Sequence, residues 1–119
     1  MEWSLHDDRP IWQQLNRQLV RRILTGVYPP GSRLPSVREL AAEAGVNPNT
    51  MQRALAQLDQ TGLTRTDRTA GRLVTQEETV LEQARRQEAQ VAIGQYFDAM
   101  AQLGYDRTGA LELLEEERT

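Results

Sequence analysis

Two helix-start signals with one glycine between them constrain the centre of this chain. Ser36 and Glu39 have the S-x-x-E spacing of a capping box, in which each side chain binds the backbone amide of the other residue. Gly45 ends the short helix that follows. Asn47 and Pro48 then begin a second helix, because asparagine caps a helix well and proline fits its first position. The pattern predicts two short helices joined by a tight turn, which is helix-turn-helix spacing.

The second of these helices, expected over residues 47–61, has an unusual first turn. Its buried stripe runs from Met51 to Leu58, and Val46 has the spacing of a hydrophobic staple with Met51. The first turn instead offers amides, a hydroxyl and an arginine, which are side chains that bind base edges and phosphates in a major groove. An ordinary αα-hairpin with a solvated first turn is the alternative, because the spacing by itself is permissive.

The elements around this pair are short. Pro10 begins an earlier helix whose apolar residues recur every four positions from Ile11 to Ile23. The proline- and glycine-rich stretch GVYPPGSRLPS after it predicts a connector. Beyond Gly62, the runs LTRT and RLVT, separated by DRTAG, predict a two-stranded hairpin that must pack on the helices to be stable. The chain is therefore expected to be mainly α with a small β-hairpin.

The C-terminal part predicts a long helix from residue 76 to 103 and, after Gly104 and a cap at Asp106, a shorter one. A long helix that projects from a small domain cannot bury its apolar side by itself, so self-association is the simplest expectation. The residues expected to form this dimerisation surface are Leu81, Ala92, Tyr96, Met100, Leu103, Leu111 and Leu114.

Charge divides the chain into two unlike parts. Residues 1–76 hold 10 arginines against 7 acidic residues, a net charge of +3, while residues 77–119 hold 4 against 10, a net charge of −6. The first part suits an anionic partner and the second does not. The apolar runs are too short for a membrane span, the start lacks a secretion signal, and cysteine is absent. A cytoplasmic protein is the default expectation.

The stretch PGSRLPSVRELAAEAGVNPNTMQRALAQLDQTGL resembles the winged helix-turn-helix of the GntR family of bacterial transcription regulators. The segments RTAGRLVT and AMAQLGYDRTGALELLEE resemble the wing and the two-helix dimerisation appendage of its short YtrA-type subfamily. The resemblance implies a winged DNA-binding domain over residues 9–77 and a helical dimerisation region over residues 78–119. It further implies a homodimeric repressor of a palindromic operator, and relatives of this type often control transporter operons.

The resemblance also assigns residues to DNA. The arginine of LPSVREL maps to Arg38, the first turn of the recognition helix follows, and the wing tip is expected to reach the minor groove. Many relatives carry arginines where this chain has Pro48 and Gln52, so their guanine-reading assignment is not carried over. The residues expected at the DNA are Ser36, Arg38, Asn47, Asn49, Thr50, Gln52, Arg53, Arg68, Thr69 and Arg72.

Two other function classes compete with this one. An enzyme is disfavoured because His6 is the only histidine, near an N-terminus expected to be mobile, and because the chain has no lysine for the Schiff base that pyridoxal phosphate requires. No cofactor or metal is expected, and a small-molecule effector stays unknown. A winged helix that binds protein rather than DNA is the second alternative. The salt dependence of binding distinguishes a DNA-binding from a protein-binding winged helix, since affinity for DNA falls steeply with rising salt concentration.

Overall fold

The computed structural model describes residues 2–118, so the last residue of the predicted dimerisation region lies outside the described part. Within that range, five helices and one two-stranded antiparallel sheet follow one another along the chain. Their bounds are α1 Ile11–Leu24, α2 Val37–Ala44, α3 Pro48–Gln60, β1 Thr64–Asp67, β2 Gly71–Val74, α4 Glu78–Gln102 and α5 Arg107–Glu117. The prediction of a mainly helical chain with a small β-hairpin is confirmed.

The predicted starts of α2 and α3 are present in atomic detail, whereas α1 begins at Ile11, one residue after Pro10. The Ser36 hydroxyl accepts the Glu39 amide at 3.1 Å, and the Glu39 carboxylate accepts the Ser36 amide at 3.3 Å, which completes the capping box. The Asn47 side chain caps α3 by accepting the Asn49 amide at 2.7 Å. Gly45 ends α2 in the left-handed conformation, at φ 70° and ψ 36°, which glycine adopts at little cost.

The chain forms two compact units, of which the first ends at Ala84. We call this first unit the winged unit. Its core collects apolar side chains from α1, α2, α3, the hairpin and the start of α4. Six of them are large and fully buried, and each contributes about 1.5–3 kcal/mol through removal of its apolar surface from water: Leu15, Leu19, Leu40, Met51, Leu55 and Leu58.

The proline-rich connector does more than join α1 to α2. The Leu34 amide donates to the Arg72 carbonyl and the Val74 amide donates to the Ser32 carbonyl, both at 2.9 Å, and Arg33 lies opposite Leu73 in an antiparallel bridge. The segment from Ser32 to Leu34 therefore runs beside β2 as an additional, short sheet edge. The hairpin gains a second row of backbone hydrogen bonds, which an isolated two-stranded hairpin lacks.

The segment before α1 is held against the helix, contrary to the expectation of a mobile N-terminus. The Gln18 side chain exchanges hydrogen bonds with the backbone of Ser4 at 2.9 and 2.6 Å, and the Gln14 side chain does so with His6, both at 2.7 Å. Each amide side chain both donates to and accepts from the backbone of one residue, as a neighbouring strand would. We call residues 2–9 the N-terminal strap.

Arg22 anchors the beginning of this strap. Its guanidinium lies 4.0 Å from the ring centre of Trp3, binds the Glu43 carboxylate at 2.9 Å and is only 3% exposed. The Trp3 indole N–H donates to the same carboxylate at 3.0 Å. Because the hydrogen bond from Arg22 favours the ionised carboxylate, the pKa of Glu43 is lowered. One buried cation thus ties together the strap, α1 and α2.

The second unit begins at Arg85 and contains the rest of α4 together with α5. We call it the tail unit. Asp106 caps α5 by accepting the Gly109 amide at 2.8 Å, as the sequence predicted. The Tyr96 hydroxyl donates to the Ala110 carbonyl at 2.6 Å, and the Arg107 guanidinium lies 4.3 Å from the ring centre of Phe97. These contacts fold α5 back along α4.

Candidate nucleic-acid interface

The first turn of α3 presents polar side chains to solvent. Asn49 and Gln52 are exposed and Thr50 is half-buried, whereas Met51 and Leu55 on the opposite side of the helix are fully buried. The core therefore fixes the rotation of α3 about its axis. Because Asn47 and Pro48 fix where the helix begins, the position of each polar side chain along the axis is determined as well.

Several predicted contact residues are available for an external partner. Arg38 lies near the start of α2 and is exposed, and Arg68 is exposed between the two strands of the hairpin. Within residues 2–118, no hydrogen bond or ion pair occupies the side chains of Arg38, Asn49, Thr50, Gln52 or Arg68. Two guanidinium groups and three neutral polar groups on α2, α3 and the hairpin are thus able to bind an external partner.

Two other predicted residues have structural partners. The Ser36 hydroxyl accepts the Glu39 amide in the capping box, and the Asn47 carbonyl oxygen accepts the Asn49 amide. Each side chain keeps a hydrogen-bond donor for an outside partner, an O–H in serine and an N–H₂ in asparagine.

Arg53 lies one turn further along α3 and is held by an aromatic ring. Its guanidinium is 4.3 Å from the ring centre of Trp12 on α1, within the range of a cation–π interaction. Stacking occupies the face of the guanidinium and leaves its N–H edges able to donate. The ring thus restricts the rotamers of an exposed arginine on α3 itself.

The hairpin turn is built around one carboxylate. Asp67 Oδ1 accepts hydrogen bonds from the Thr69 amide at 2.9 Å, the Thr69 hydroxyl at 2.9 Å and the Ala70 amide at 3.0 Å. Backbone and side-chain donors stabilise the ionised form, so the pKa of Asp67 is lowered to about 2. Thr69 therefore has a role inside the turn, while Arg68 projects from it into solvent.

Arg72 does not lie free at the wing tip, as its place in the sequence suggested. Its Nε and Nη2 atoms donate to the two carboxylate oxygens of Asp59 at 3.1 and 3.0 Å, and its side chain is only 14% exposed. This two-pronged ion pair joins β2 to α3. In this structure Arg72 stabilises the hairpin against α3, and its contact with DNA stays a prediction.

Asp59 is the residue that sequence reasoning missed. It also accepts the Thr64 hydroxyl at 2.6 Å, and its nearest cationic partner lies 13 positions away across a turn. Partial burial raises the pKa of Asp59, but the hydrogen bonds from Arg72 and Thr64 outweigh it, and the pKa is lowered. No periodicity marks such a pair, so only a correct prediction of the hairpin register could have found it.

The tail unit leaves much of its apolar surface uncovered. Leu103 is 72% exposed, and Leu111 and Leu114 are close to half exposed. Ala92 is exposed as well, whereas Tyr96 and Met100 are half-buried. These residues, predicted for dimerisation, remain accessible to a further partner within the described part of the chain.

Leu81 is the exception among the predicted dimerisation residues. It is 5% exposed and belongs to the hydrophobic core of the winged unit. The first two turns of α4 pack on that core, and the winged unit extends to Ala84. The expectation for Leu81 is corrected, because its side chain is already covered within a single chain.

The arrangement of α2, α3 and the hairpin defines a winged helix-turn-helix, in which the second helix of the pair carries the groove-reading residues. Residues 12–74 match the family model described as bacterial regulatory proteins, gntR family, and this match covers more than half of the chain. The protein belongs to the GntR family of transcriptional regulators. It therefore carries a DNA-binding domain and is not an enzyme.

Similar proteins extend the likeness beyond the winged unit. The HTH-type transcriptional regulator YhcF of Bacillus subtilis is 28% identical over 112 residues, which cover 94% of this chain and 93% of that protein. The transcriptional repressor YtrA of the same organism is 39% identical over 67 residues, covering 56% and 52% respectively. A solved GntR family regulator from Listeria monocytogenes superimposes with a TM-score of 0.82 at 32% identity, covering 94% of this chain and 98% of that one.

Neither a membrane-spanning helix nor a metal-binding cluster of side chains is found in the described residues. Among residues 2–118, no helix combines the length and apolar character needed to cross a bilayer. The same residues contain no group of three histidine, aspartate or glutamate side chains placed to hold a metal ion.

Proposed function

We propose that this protein is a sequence-specific repressor that binds a palindromic operator as a homodimer. The observation that carries the proposal is the polar start of α3, where the side chains of Asn49, Thr50 and Gln52 have no hydrogen-bond partner within the described chain. Asparagine and glutamine side chains suit paired hydrogen bonds to adenine, and arginine suits guanine or phosphate. The similarity to a protein named as a repressor supports the sign of regulation.

The homodimer rests on the tail unit. Three leucines with roughly half or more of their surface exposed lie on α5 and in the turn before it, and such an exposed apolar patch is costly in water for a monomer. A twofold-symmetric dimer would cover this surface and present two copies of α3, and a palindromic operator mirrors that symmetry. Transporter genes are the targets that the likeness to YtrA-type regulators suggests.

Arg38→Ala tests the proposed surface. Arg38 is exposed and outside the core, so the variant should fold like the parent while its affinity for a duplex falls strongly. Affinity is measured on the duplex that the parent protein selects from a random-sequence pool, and thermal unfolding serves as the control for folding. Equal affinity of variant and parent would place the interface elsewhere.

Base readout is tested separately with Asn49→Ala and Gln52→Ala. Removing each base-binding side chain should cost about 1–3 kcal/mol on the selected duplex and flatten the preference over scrambled duplexes. An equal loss of affinity on every duplex would instead mark these side chains as phosphate contacts, because such contacts carry no base preference. Unchanged preference in both amide variants would remove α3 from the readout. A salt-insensitive interaction with protein only would support the alternative winged-helix role.

A further inference from the structure

The hairpin sheet has two unlike faces. In an antiparallel sheet, residues directly opposite one another point to the same side. Thr64 pairs with Val74 and Thr66 pairs with Arg72, and this inner face turns toward the core and Asp59. The alternate residues must therefore point outward.

The outer face carries two arginines in one row. Arg65 pairs with Leu73 across the hairpin, and Arg33 of the connector lies opposite Leu73 on its other side. Both arginines are exposed, and their backbone positions lie two strand spacings apart, about 10 Å. The half-buried Leu73 lies between them. We call Arg33, Arg65 and Leu73 the outer wing face.

Gly71 shapes this face. A Cβ atom at position 71 would lie 3.3 Å from Cδ of Arg33, so the absence of a side chain lets the arginine stem lie across the strand. Gly71 also has a φ of +84°, a conformation that glycine tolerates. The arginine stem is thereby supported by backbone while its guanidinium stays in solvent.

The charge on this face is only partly balanced. Arg65 has one carboxylate nearby, Asp67, at 3.9 Å, and the Arg65 side chain is 69% exposed. The other Asp67 oxygen already accepts three hydrogen bonds in the turn. Arg33 makes no ion pair or hydrogen bond within residues 2–118. Two exposed cations on one face of the sheet suit a polymer that carries repeated anionic groups.

We propose that the outer wing face binds the phosphate backbone of the DNA beside the operator half-site, through Arg33 and Arg65. The inference rests on the proposed DNA-binding function and adds phosphate contacts outside the recognition helix and the wing tip. It is supported by continuity, because Arg65 and the exposed Arg68 belong to the same hairpin. Such contacts position the protein on the duplex and carry no base preference.

The test is the salt dependence of affinity for Arg33→Gln, Arg65→Gln and the double variant. Each phosphate contact contributes about 0.9 to the slope of log affinity against log salt concentration, so the double variant should lose about 1.8 per protomer. The probes are the duplex that the parent selects from a random pool and a scrambled duplex of equal length. Both should weaken by the same factor, with base preference unchanged.

Three controls sharpen this experiment. Arg118→Gln removes the same charge from an exposed arginine of the tail unit and should leave the slope unchanged. The double substitution of Arg33 and Arg65 by lysine keeps both charges and should restore most of the slope. Thermal unfolding of every variant checks that the hairpin is intact.

The failure of this inference can be separated from failure of the proposed function. A parent-like slope in the glutamine double variant, while Arg38→Ala still loses affinity, would overturn the inference and leave DNA binding in place. An unchanged slope accompanied by dissociation in sedimentation would show that the face instead binds the acidic tail of a second copy. If the parent protein itself bound no duplex at low salt, the proposed function would fail.

Discussion

Replacing Arg72 by glutamine should destabilise the winged unit by about 2 kcal/mol. Arg72 makes two charge-assisted hydrogen bonds to Asp59, at 3.1 and 3.0 Å. Removing one partner of a fully buried ion pair costs about 3–5 kcal/mol, because the remaining charge is left uncompensated. Here the Asp59 side chain is 31% exposed, so water can solvate the abandoned carboxylate and the cost falls below that range. For a domain of this size, about 2 kcal/mol corresponds to a decrease in Tm of about 8–16 °C.

The assay is a double-mutant cycle by chemical denaturation with Arg72→Gln, Asp59→Asn and the double variant. The two single substitutions should each be destabilising, and together they should cost clearly less than their sum, with a coupling energy of about 1–2 kcal/mol. Arg65→Gln is the matched control in the neighbouring strand. Its carboxylate contact is long and exposed, so its effect should stay within about 0.5 kcal/mol.

The same pair has a pH signature. The pKa of Asp59 is lowered in the folded protein, so its stabilising contribution is complete above the ordinary aspartate pKa of about 3.9 and is lost as the pH falls through the lowered value. The stability difference between parent and Arg72→Gln should therefore shrink below about pH 4. A coupling energy near zero, or a difference that is the same at pH 3 and pH 7, would refute the reasoning.

Three further outcomes are expected. Leu103→Asp should shift the protein from dimer to monomer in sedimentation without loss of helix content, since Leu103 is 72% exposed, and a fully dimeric variant would contradict the role proposed for the tail unit. Trp3→Ala should lower the free energy of unfolding by about 1–3 kcal/mol, because Arg22 loses its stacking partner and Glu43 loses a hydrogen bond. The control is His6→Ala in the same strap, which should leave the stability nearly unchanged. The Asp67 carboxyl should titrate near pH 2 by NMR. The hydrogen bonds of the turn should be present above about pH 4 and be lost as the pH falls toward 2. An ordinary pKa near 3.9 would contradict the turn geometry.

Local signals in the sequence were sufficient for most of the helices. The capping box at Ser36, the Asn47–Pro48 start of α3 and the Asp106 cap depend on residues at most three positions apart. The hairpin was predicted from its β-prone runs. Each strand begins and ends within a residue or two of the expected position. The exposed polar turn of α3 followed from the same local pattern, because the apolar stripe determines which side is buried.

Contacts between distant residues could not be predicted in this way. The pairing of Arg33 with Leu73 brings together residues of a connector and a strand, and no periodicity in either segment specifies a partner. The ion pair of Arg72 with Asp59 follows only from the hairpin register, which places Arg72 on the inner face of the sheet. Leu81 has the helical spacing of the dimer stripe but lies where α4 still contacts the core.

By itself, the sequence determined where the helices begin and end and which side of α3 is polar, because caps, glycines and apolar spacing act over a few residues. Only the tertiary structure decided which arginines are free and which are held. An arginine has the same charge in either case, and whether it meets a carboxylate or solvent depends on chain segments that the fold brings together. Arg38 and Arg68 thus remain available for DNA, while Arg72 holds the wing against the recognition helix.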